Sequence, residues 1–330
     1  MSAEFSNTQF LNVDQNAPIA REMRGGVVVI GNFDGVHAGH RVVLQQAQKQ
    51  AREGQPVYAL CFEPHPRTVF RPDHPVFRLS PPREKAKLLQ ASGMDGVVNW
   101  EFTRAFASNT AAQFVDNVLL GHLGAAHVVV GYDFHFGKDR QGSPDFLINA
   151  GKASGFDVTI VPEVQLEGGL EVSSSAIRAE LENANIEQAN TLLGYRWFVM
   201  AKVIHGEKRG RELGFPTANM HMHPGCRLAQ GIYAVTARRA DGSLYKGVAS
   251  YGRRPQFDNG NPLLETFIFD LDAQLYDEEL TITFHKFLRT EAKFDSIDAL
   301  IVQMQVDCEQ AAEHLKDLAP QSGFDKQLNF

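Results

Sequence analysis

Gly31-Asn32-Phe33-Asp34-Gly35-Val36-His37-Ala38-Gly39-His40 follows the apolar run Val27-Val28-Val29-Ile30 and precedes an amphipathic segment that ends near Gly54. The order reads as buried strand, tight glycine turn and helix start. Glycines at 31, 35 and 39 are expected to give the backbone positive φ and a close approach to a bound group. The following helix offers free N–H groups and the positive end of its dipole, so the turn is a candidate anion site. His37 and His40 stand three apart where the helix opens. Both imidazoles can therefore face one spot and donate to phosphate oxygens. The same pair beside Asp34 could instead hold a metal, or each histidine could be an ordinary satisfied side chain; no Cys/His set with zinc spacing supports the metal. The glycine pattern is neither G-x-G-x-x-G nor G-x-x-x-x-G-K-[ST], which removes the Rossmann and P-loop readings.

Working outward, 330 residues suggest two domains, each able to bury its own core. A hydrophobic share of 43% and a charged share of 22% are those of an ordinary globular chain. The formal net charge of −7 argues against a general nucleic-acid or membrane-surface binder, though it permits a local basic pocket. Cys61, Cys226 and Cys308 are few, scattered and odd in number, which fits a reducing compartment. Met1 to Gly26 lacks the apolar core of a secretory signal, and no apolar run approaches the ~20 residues of a membrane span. A cytoplasmic protein is expected, with no nucleic-acid or membrane partner. The oligomeric state is left open.

From Val27 to about Glu182, short β-branched runs alternate with helical patterns, which predicts a doubly wound, mainly parallel sheet covered by helices. Val57 to Phe62 is a buried-strand candidate ending in Glu63-Pro64-His65-Pro66-Arg67, where two prolines hold the chain extended at the ligand edge. A rigid loop with incidental charges is the plain alternative. Ser80-Pro81 reads as N-cap and first turn of a helix. A strand from Val97, a helix over Thr110 to His122 and a strand at His127 to Val130 follow. Gly131 to Gly142 then interleaves glycines, aromatics and charges, suited to a flat aromatic ligand carrying phosphate or, equally, to a mobile surface loop. Ser143-Pro144 caps another helix and Val158 to Val161 is a strand. Ser173-Ser174-Ser175-Ala176-Ile177-Arg178 opens a helix with hydroxyls at its start and an arginine one turn in, an arrangement for phosphate or simply a capped helix.

Near Glu182 the pattern changes. Residues 1–183 form the first expected domain, 184–196 a linker entered through a short helix, and 197–330 a second domain dominated by strands. Candidate strands are Trp197 to Ile204, Gly231 to Ala237, Leu244 to Ala249, Leu263 to Asp270 and Leu280 to His285, with turns such as Asp241-Gly242 and Asn259-Gly260. This spacing predicts a small antiparallel barrel. Ile297, Leu300, Ile301, Met304, Ala311 and Leu315 recur at helical spacing, so a terminal helix is expected to bury them on the barrel. Gly206, Gly210 and Gly214, with charges between them, mark a flexible phosphate-facing loop leading to Thr217 and Asn219. Those two offer oxygen ligands of the kind Mg²⁺ accepts, though both residue types are also common in turns. Glu265 lies among Leu263, Leu264, Phe267 and Phe269, either at a wet strand edge or as a functional base.

Four motifs in order resemble the adenylyltransferase half of bacterial bifunctional FAD synthetases: the H-x-G-H stretch, Phe62 to Pro66, Gly131 to Gly137, and Ser173 to Arg178. That resemblance implies transfer of AMP from ATP to FMN. Gly31, Asn32, Phe33, Asp34, Gly35, His37, His40, Ser174, Ser175 and Arg178 would serve the ATP phosphates, with Phe62, His65 and Asp133 on the flavin side. Downstream, Gly206 to Asn219, Gly231 to Val235, the Leu263-Leu264-Glu265 strand and Phe287 to Phe294 resemble a riboflavin kinase domain. The resemblance implies that Thr217 and Asn219 bind the Mg²⁺ of ATP, that Arg289 lies against the flavin, and that Glu265 takes the proton of the riboflavin 5′-hydroxyl. Ala201, Ser250, Gln256 and Asp277 depart from that family's usual residues, as Ser175 does from the first family's. The resemblance thus implies riboflavin to FMN, then FMN to FAD and pyrophosphate. A same-fold nucleotidyltransferase for another phosphate acceptor, or a silent flavin-binding regulator, are the alternatives.

Overall fold

The computed structural model describes residues 10–15, 21–163, 172–206, 210, 213–253 and 262–328. The turn expected at Asn259-Gly260 and the departure at Gln256 lie outside them. Two compact units emerge, Met1–Val76 with Ser80–Val172, and Phe77–Leu79 with Ser173–Phe330.

The first unit is a six-stranded parallel sheet of β1 (Leu11–Asp14), β2 (Val27–Ile30), β3 (Val57–Glu63), β4 (Gly96–Glu101), β5 (His127–Gly131) and β6 (Asp157–Val161). Their order is β1-β4-β3-β2-β5-β6. Val27 to Ile30 are all buried, as expected of a strand covered on both faces. β1 carries only two apolar residues and escapes the hydrophobic pattern because it is an edge strand, paired through Leu11 with Gly96. The chain reverses its direction of strand addition between β2 and β5, which creates a crevice at their carboxyl ends. The H-x-G-H turn leaves β2 there and the Gly131 to Gly142 loop leaves β5.

Helices α1 (Ala38–Gln50), α2 (Pro66–Phe70), α3 (Pro82–Ala91), α4 (Arg104–Ala107), α5 (Ala111–Gln113) and α6 (Pro144–Ser154) join the strands. Thr110 and Gln113 form a capping box at the start of α5, which runs on as a π-helix over Phe114–His122. Ser80 does not cap α3: Pro81 occupies that position without a side-chain bond. The Ser80 hydroxyl is engaged elsewhere, as described below.

In the second unit, α7 (Ser174–Glu182) and α8 (Ile186–Leu193) precede the strands, and Ile186, Ala189 and Leu193 of α8 are fully buried. The barrel is closed in the order β10-β11-β8-β7-β12-β9. Its strands are β7 (Phe198–Ile204), β8 (Thr217–His221), β9 (Gly231–Arg238), β10 (Leu244–Arg253), β11 (Pro262–Ile268) and β12 (Glu279–Arg289), and every pairing is antiparallel. β8 is a strand where turn chemistry was expected; pairing with β11 and β7 overrides the weak β preference of Asn219. Helices α9 (Ile297–His314) and α10 (Gly323–Gln327) complete the unit. Ser296 caps α9, which packs on β9, β10 and β12. The apolar stripe of α9 divides its work. Ala311 and Leu315 are buried against Ala234, whereas Ile297, expected in the core, is 64% exposed, and Leu300 and Met304 line a cavity.

Candidate active sites of the two units

In the first unit the turn after β2 is held in an uncommon backbone conformation. Gly35 has φ of 82°, but so do Phe33 and Val36 take positive values, 44° and 36°. An aromatic and a β-branched residue in the left-handed region carry a cost of order 1–3 kcal/mol each, which the surrounding contacts must offset. Gly31 and Gly39 are not in this region, contrary to expectation; a Cβ on Gly31 would lie 2.8 Å from the Phe33 ring, so Gly31 is needed for space. The turn delivers His37 as N-cap of α1, 6% exposed, its Nδ1 accepting the His40 N–H at 3.4 Å. A neutral His37 therefore carries its proton on Nε2, the nitrogen that donates. The two imidazoles stack at 3.7 Å with 18° between planes, and Phe33 meets His40 edge-on at 5.4 Å. The paired rings at a helix start are what the sequence reading anticipated.

Asp34 is buried within the turn. It is 2% exposed and its Oδ1 accepts from the Ser80 N–H at 3.0 Å. Among the described residues no group of three His, Cys, Asp or Glu side chains is placed to hold a metal. Asn32 Oδ1 is buried without a hydrogen-bond partner among the described residues, as a group awaiting a ligand donor would be.

The other first-unit candidates lie at strand ends. Phe62 ends β3 within an aromatic cluster, 5.8 Å from Phe102 and 6.1 Å from Phe106, and is 9% exposed; it supports the wall of the crevice from the core. His65 caps α2, accepting the Arg67 N–H at 3.2 Å. Glu63 is held by Lys85, a residue the sequence reading passed over, whose buried ammonium lies 2.8 Å from Oε1. Asp133 is exposed in a loop closed by a two-bond bridge between Phe136 and Gly142, with Phe134 stacked on Phe136 at 5.4 Å. That loop is a built turn.

Within the second unit, Ser173 caps α7 by accepting the Ala176 N–H at 3.2 Å. Ser174 is half-buried and Ser175 exposed at the helix start. Arg178 is 8% exposed and donates Nε to the Phe77 carbonyl at 2.6 Å, which orients its guanidinium.

A cavity of about 450 Å³ opens on the barrel, in the size range of small-molecule sites. Thr217, Glu265, Arg289 and Gly210 line it together, with Phe215, Ile232, Phe267 and Phe294 as apolar wall. Register explains this convergence: Glu265 on β11 stands opposite Asn219 on β8 and Ser250 on β10. Asn219 is 7% exposed and donates Nδ2 to the Thr217 carbonyl at 3.2 Å, while its buried Oδ1 has no hydrogen-bond partner among the described residues. An orphaned amide oxygen and a threonine hydroxyl two residues apart on one strand are a donor set that fits a hard cation such as Mg²⁺. Gly206 is fixed by this geometry, since a Cβ there would lie 2.4 Å from Asn219 Nδ2. Gly210 takes the Phe215 N–H on its carbonyl at 2.7 Å, and Gly214 turns with φ of 86°. Residues 207–209, 211 and 212 of this loop lie outside those described.

Arg289 is clamped rather than loose. Its Nε and Nη2 donate to Asp307 of α9 at 2.7 and 2.6 Å, and Gln303 donates to the same carboxylate at 3.0 Å. Asp307, 3% exposed, was missed in the sequence; an acid inside the apolar stripe of α9 was the available signal. Glu291, also on the cavity wall, was missed too. Burial, and then the like charge of Glu265, raise its carboxyl above the usual range, with Arg289 opposing. Burial, then Asp307 and Glu309, push the Cys308 thiol up to about 11, so it lines the cavity as a small apolar group and not as a nucleophile.

Comparison with known proteins agrees with both halves. A family model for FAD synthetase matches residues 19–176 and one for riboflavin kinase residues 193–315. The bifunctional riboflavin kinase/FMN adenylyltransferase of Pseudomonas fluorescens is 41% identical over 288 residues, covering 87% of this chain and 92% of the relative. The protein of the same description from Escherichia coli K12 is 38% identical over 86% of this chain and 90% of the relative, and that from Bacillus subtilis 35% over 91% and 96%. A solved chain described as a macrolide-efflux protein from Streptococcus pneumoniae superposes with a TM-score of 0.78 at 29% identity, covering 93% of this chain and 99% of that one. No helix among the described residues is long and apolar enough to cross a membrane. The parallel-sheet unit, the closed barrel and the relatives of both converge: this chain belongs to the bifunctional riboflavin kinase/FMN adenylyltransferase family, phosphorylating riboflavin to FMN and adenylylating FMN to FAD.

Proposed function

We propose that the two reactions divide between the units along the residues described. In the barrel, Glu265 accepts the proton of the riboflavin 5′-hydroxyl as that oxygen bonds to the γ-phosphorus of ATP and the bond to ADP breaks. Arg289, locked by Asp307, fixes the flavin wall. Thr217 and Asn219 are the residues that would hold Mg²⁺, which when bound neutralises charge on the transferring phosphates. The observation that carries this reading is the single cavity lined by Thr217, Glu265 and Arg289, three residues 72 positions apart at most.

In the sheet unit, a phosphate oxygen of FMN attacks the α-phosphorus of ATP and pyrophosphate leaves. His37 and His40 donate to phosphate oxygens beside the α1 N-terminus, and Asn32 lends its buried carbonyl to the nucleotide. Asp133 and His65 of this unit are assigned to flavin, and Ser174, Ser175 and Arg178 of α7 to phosphate. Residues 1–183 and 197–330 are the working domains. The cytoplasm is the compartment, a reading supported by cysteines that are few, scattered and odd in number.

Flavin chromatography after incubation with riboflavin, ATP and Mg²⁺ tests the division. His40→Ala should let FMN accumulate while FAD formation slows about 100-fold, the scale of losing one preorganised donor. Glu265→Gln should block riboflavin yet spare added FMN. Equal impairment of both steps by either change would sink the assignment.

A further inference from the structure

Ser80 is wholly buried and belongs to none of the motifs that carry the family resemblance. Its hydroxyl accepts the Gly35 N–H at 2.7 Å, and both its backbone N–H and its hydroxyl approach Asp34 Oδ1, at 3.0 and 3.4 Å. One side chain 45 positions downstream thus holds two consecutive residues of the turn. It holds them between Phe33 and Val36, the two non-glycine residues of the turn with positive φ. A turn of that conformation persists only where neighbouring contacts over-determine it. Immediately after it comes His37, whose ring stacks on His40.

We infer that Ser80 is a positioning residue for FMN adenylylation: held against Asp34, its hydroxyl fixes the Gly35 amide and with it the direction in which the turn presents His37 and His40. The inference rests on the assignment of those histidines to the ATP phosphates. It gives Asp34 a role too, as the acceptor that orients Ser80. Without the hydroxyl, the Gly35 N–H loses its buried partner and Phe33 and Val36 can relax toward ordinary φ, tilting the start of α1. Donors aimed at phosphate would then miss by a fraction of an ångström, enough to lower rate steeply.

The test compares Ser80→Ala, Ser80→Thr, Asp34→Asn and His40→Ala in the full chain, measuring kcat and the ATP KM for FMN adenylylation, riboflavin kinase kcat in the same preparation, and thermal unfolding, all assays run below the unfolding transition. Ser80→Ala should lower adenylylation kcat about tenfold or more and raise the ATP KM severalfold. Riboflavin kinase in the same molecules should stay within twofold, and Ser80→Thr, which keeps the hydroxyl, should recover most of the loss. A role in folding alone would lower kcat through lost active protein and leave the ATP KM unchanged; that pattern overturns the inference. If Ser80→Ala does not fold, Asp34→Asn carries the test, with the same rise in ATP KM expected. Normal adenylylation by Ser80→Ala beside a defective His40→Ala refutes the inference and leaves the histidine assignment standing. Normal adenylylation by His40→Ala refutes the assignment itself, and the inference with it.

Discussion

Replacing Asp307 by asparagine isolates the clamp on Arg289. The native carboxylate receives two charged N–H donors at 2.7 and 2.6 Å and a neutral one from Gln303 at 3.0 Å. An asparagine keeps one carbonyl acceptor and presents an NH₂ group to the second guanidinium nitrogen, so one charge-assisted bond, worth about 1.5–3 kcal/mol, is lost along with the pairing of charges. Breaking a fully buried pair costs about 3–5 kcal/mol. Here the Arg289 side chain is 23% exposed and can recover water, which places the loss nearer about 2–3 kcal/mol. At about 2–4 °C per kcal/mol, the barrel should melt roughly 4–12 °C lower. The released guanidinium can swing toward Glu265 and Glu291 on the same cavity wall. A rise of about tenfold in the riboflavin KM, about 1.4 kcal/mol, is therefore expected, with FMN adenylylation unaffected. Initial-rate kinetics at saturating ATP and calorimetry decide it. A riboflavin KM within twofold of native, whatever the melting midpoint does, would show that the clamp only holds α9 to the barrel and that Arg289 does not shape the flavin site.

Two further outcomes are expected. Gly206→Ala places a Cβ 2.4 Å from Asn219 Nδ2 and should displace the Asn219 amide, raising the Mg²⁺ concentration needed for half-maximal riboflavin phosphorylation severalfold; an unchanged Mg²⁺ titration would count against Asn219 as ligand. Burial, assisted by the charges of Arg196 and His314, holds the His285 imidazole down to about 3, against 6.5 ordinarily. The unfolded chain therefore binds a proton that the folded barrel refuses. Stability is lost as pH falls through 6.5 toward 3, by up to about 1.4 kcal/mol per unit. Denaturant unfolding of His285→Asn should show a shallower acid limb than the native barrel between pH 6 and pH 4, and parallel limbs would contradict the buried neutral histidine.

Much of the architecture was legible because its signals are local. Val27 to Ile30, Val57 to Phe62 and His127 to Val130 are apolar runs that only a doubly covered sheet can bury, and capping residues such as Thr110, Ser143, Ser173 and Ser296 begin helices through bonds to nearby backbone. Other features carry no local signal. β1 and β8 exist because a partner strand completes their hydrogen bonds, and their own residues do not demand a strand. Ser80 has every local mark of a helix cap, yet a turn 45 residues away claims its hydroxyl.

The sequence by itself determined which chemistry the chain carries: a histidine pair at a helix start after a buried strand, a threonine and asparagine offering oxygen ligands, one glutamate among apolar neighbours, and the family to which these belong. Tertiary structure alone decided how those groups are held. Asp34 is buried against Ser80, Phe33 and Val36 share the positive φ expected of glycines, and Ile297 left the core while Leu300 and Met304 walled a cavity. The physical reason is range. Periodicity and capping are set within a few residues, whereas the orientation of a buried polar side chain depends on which distant donor or acceptor folding brings within about 3 Å.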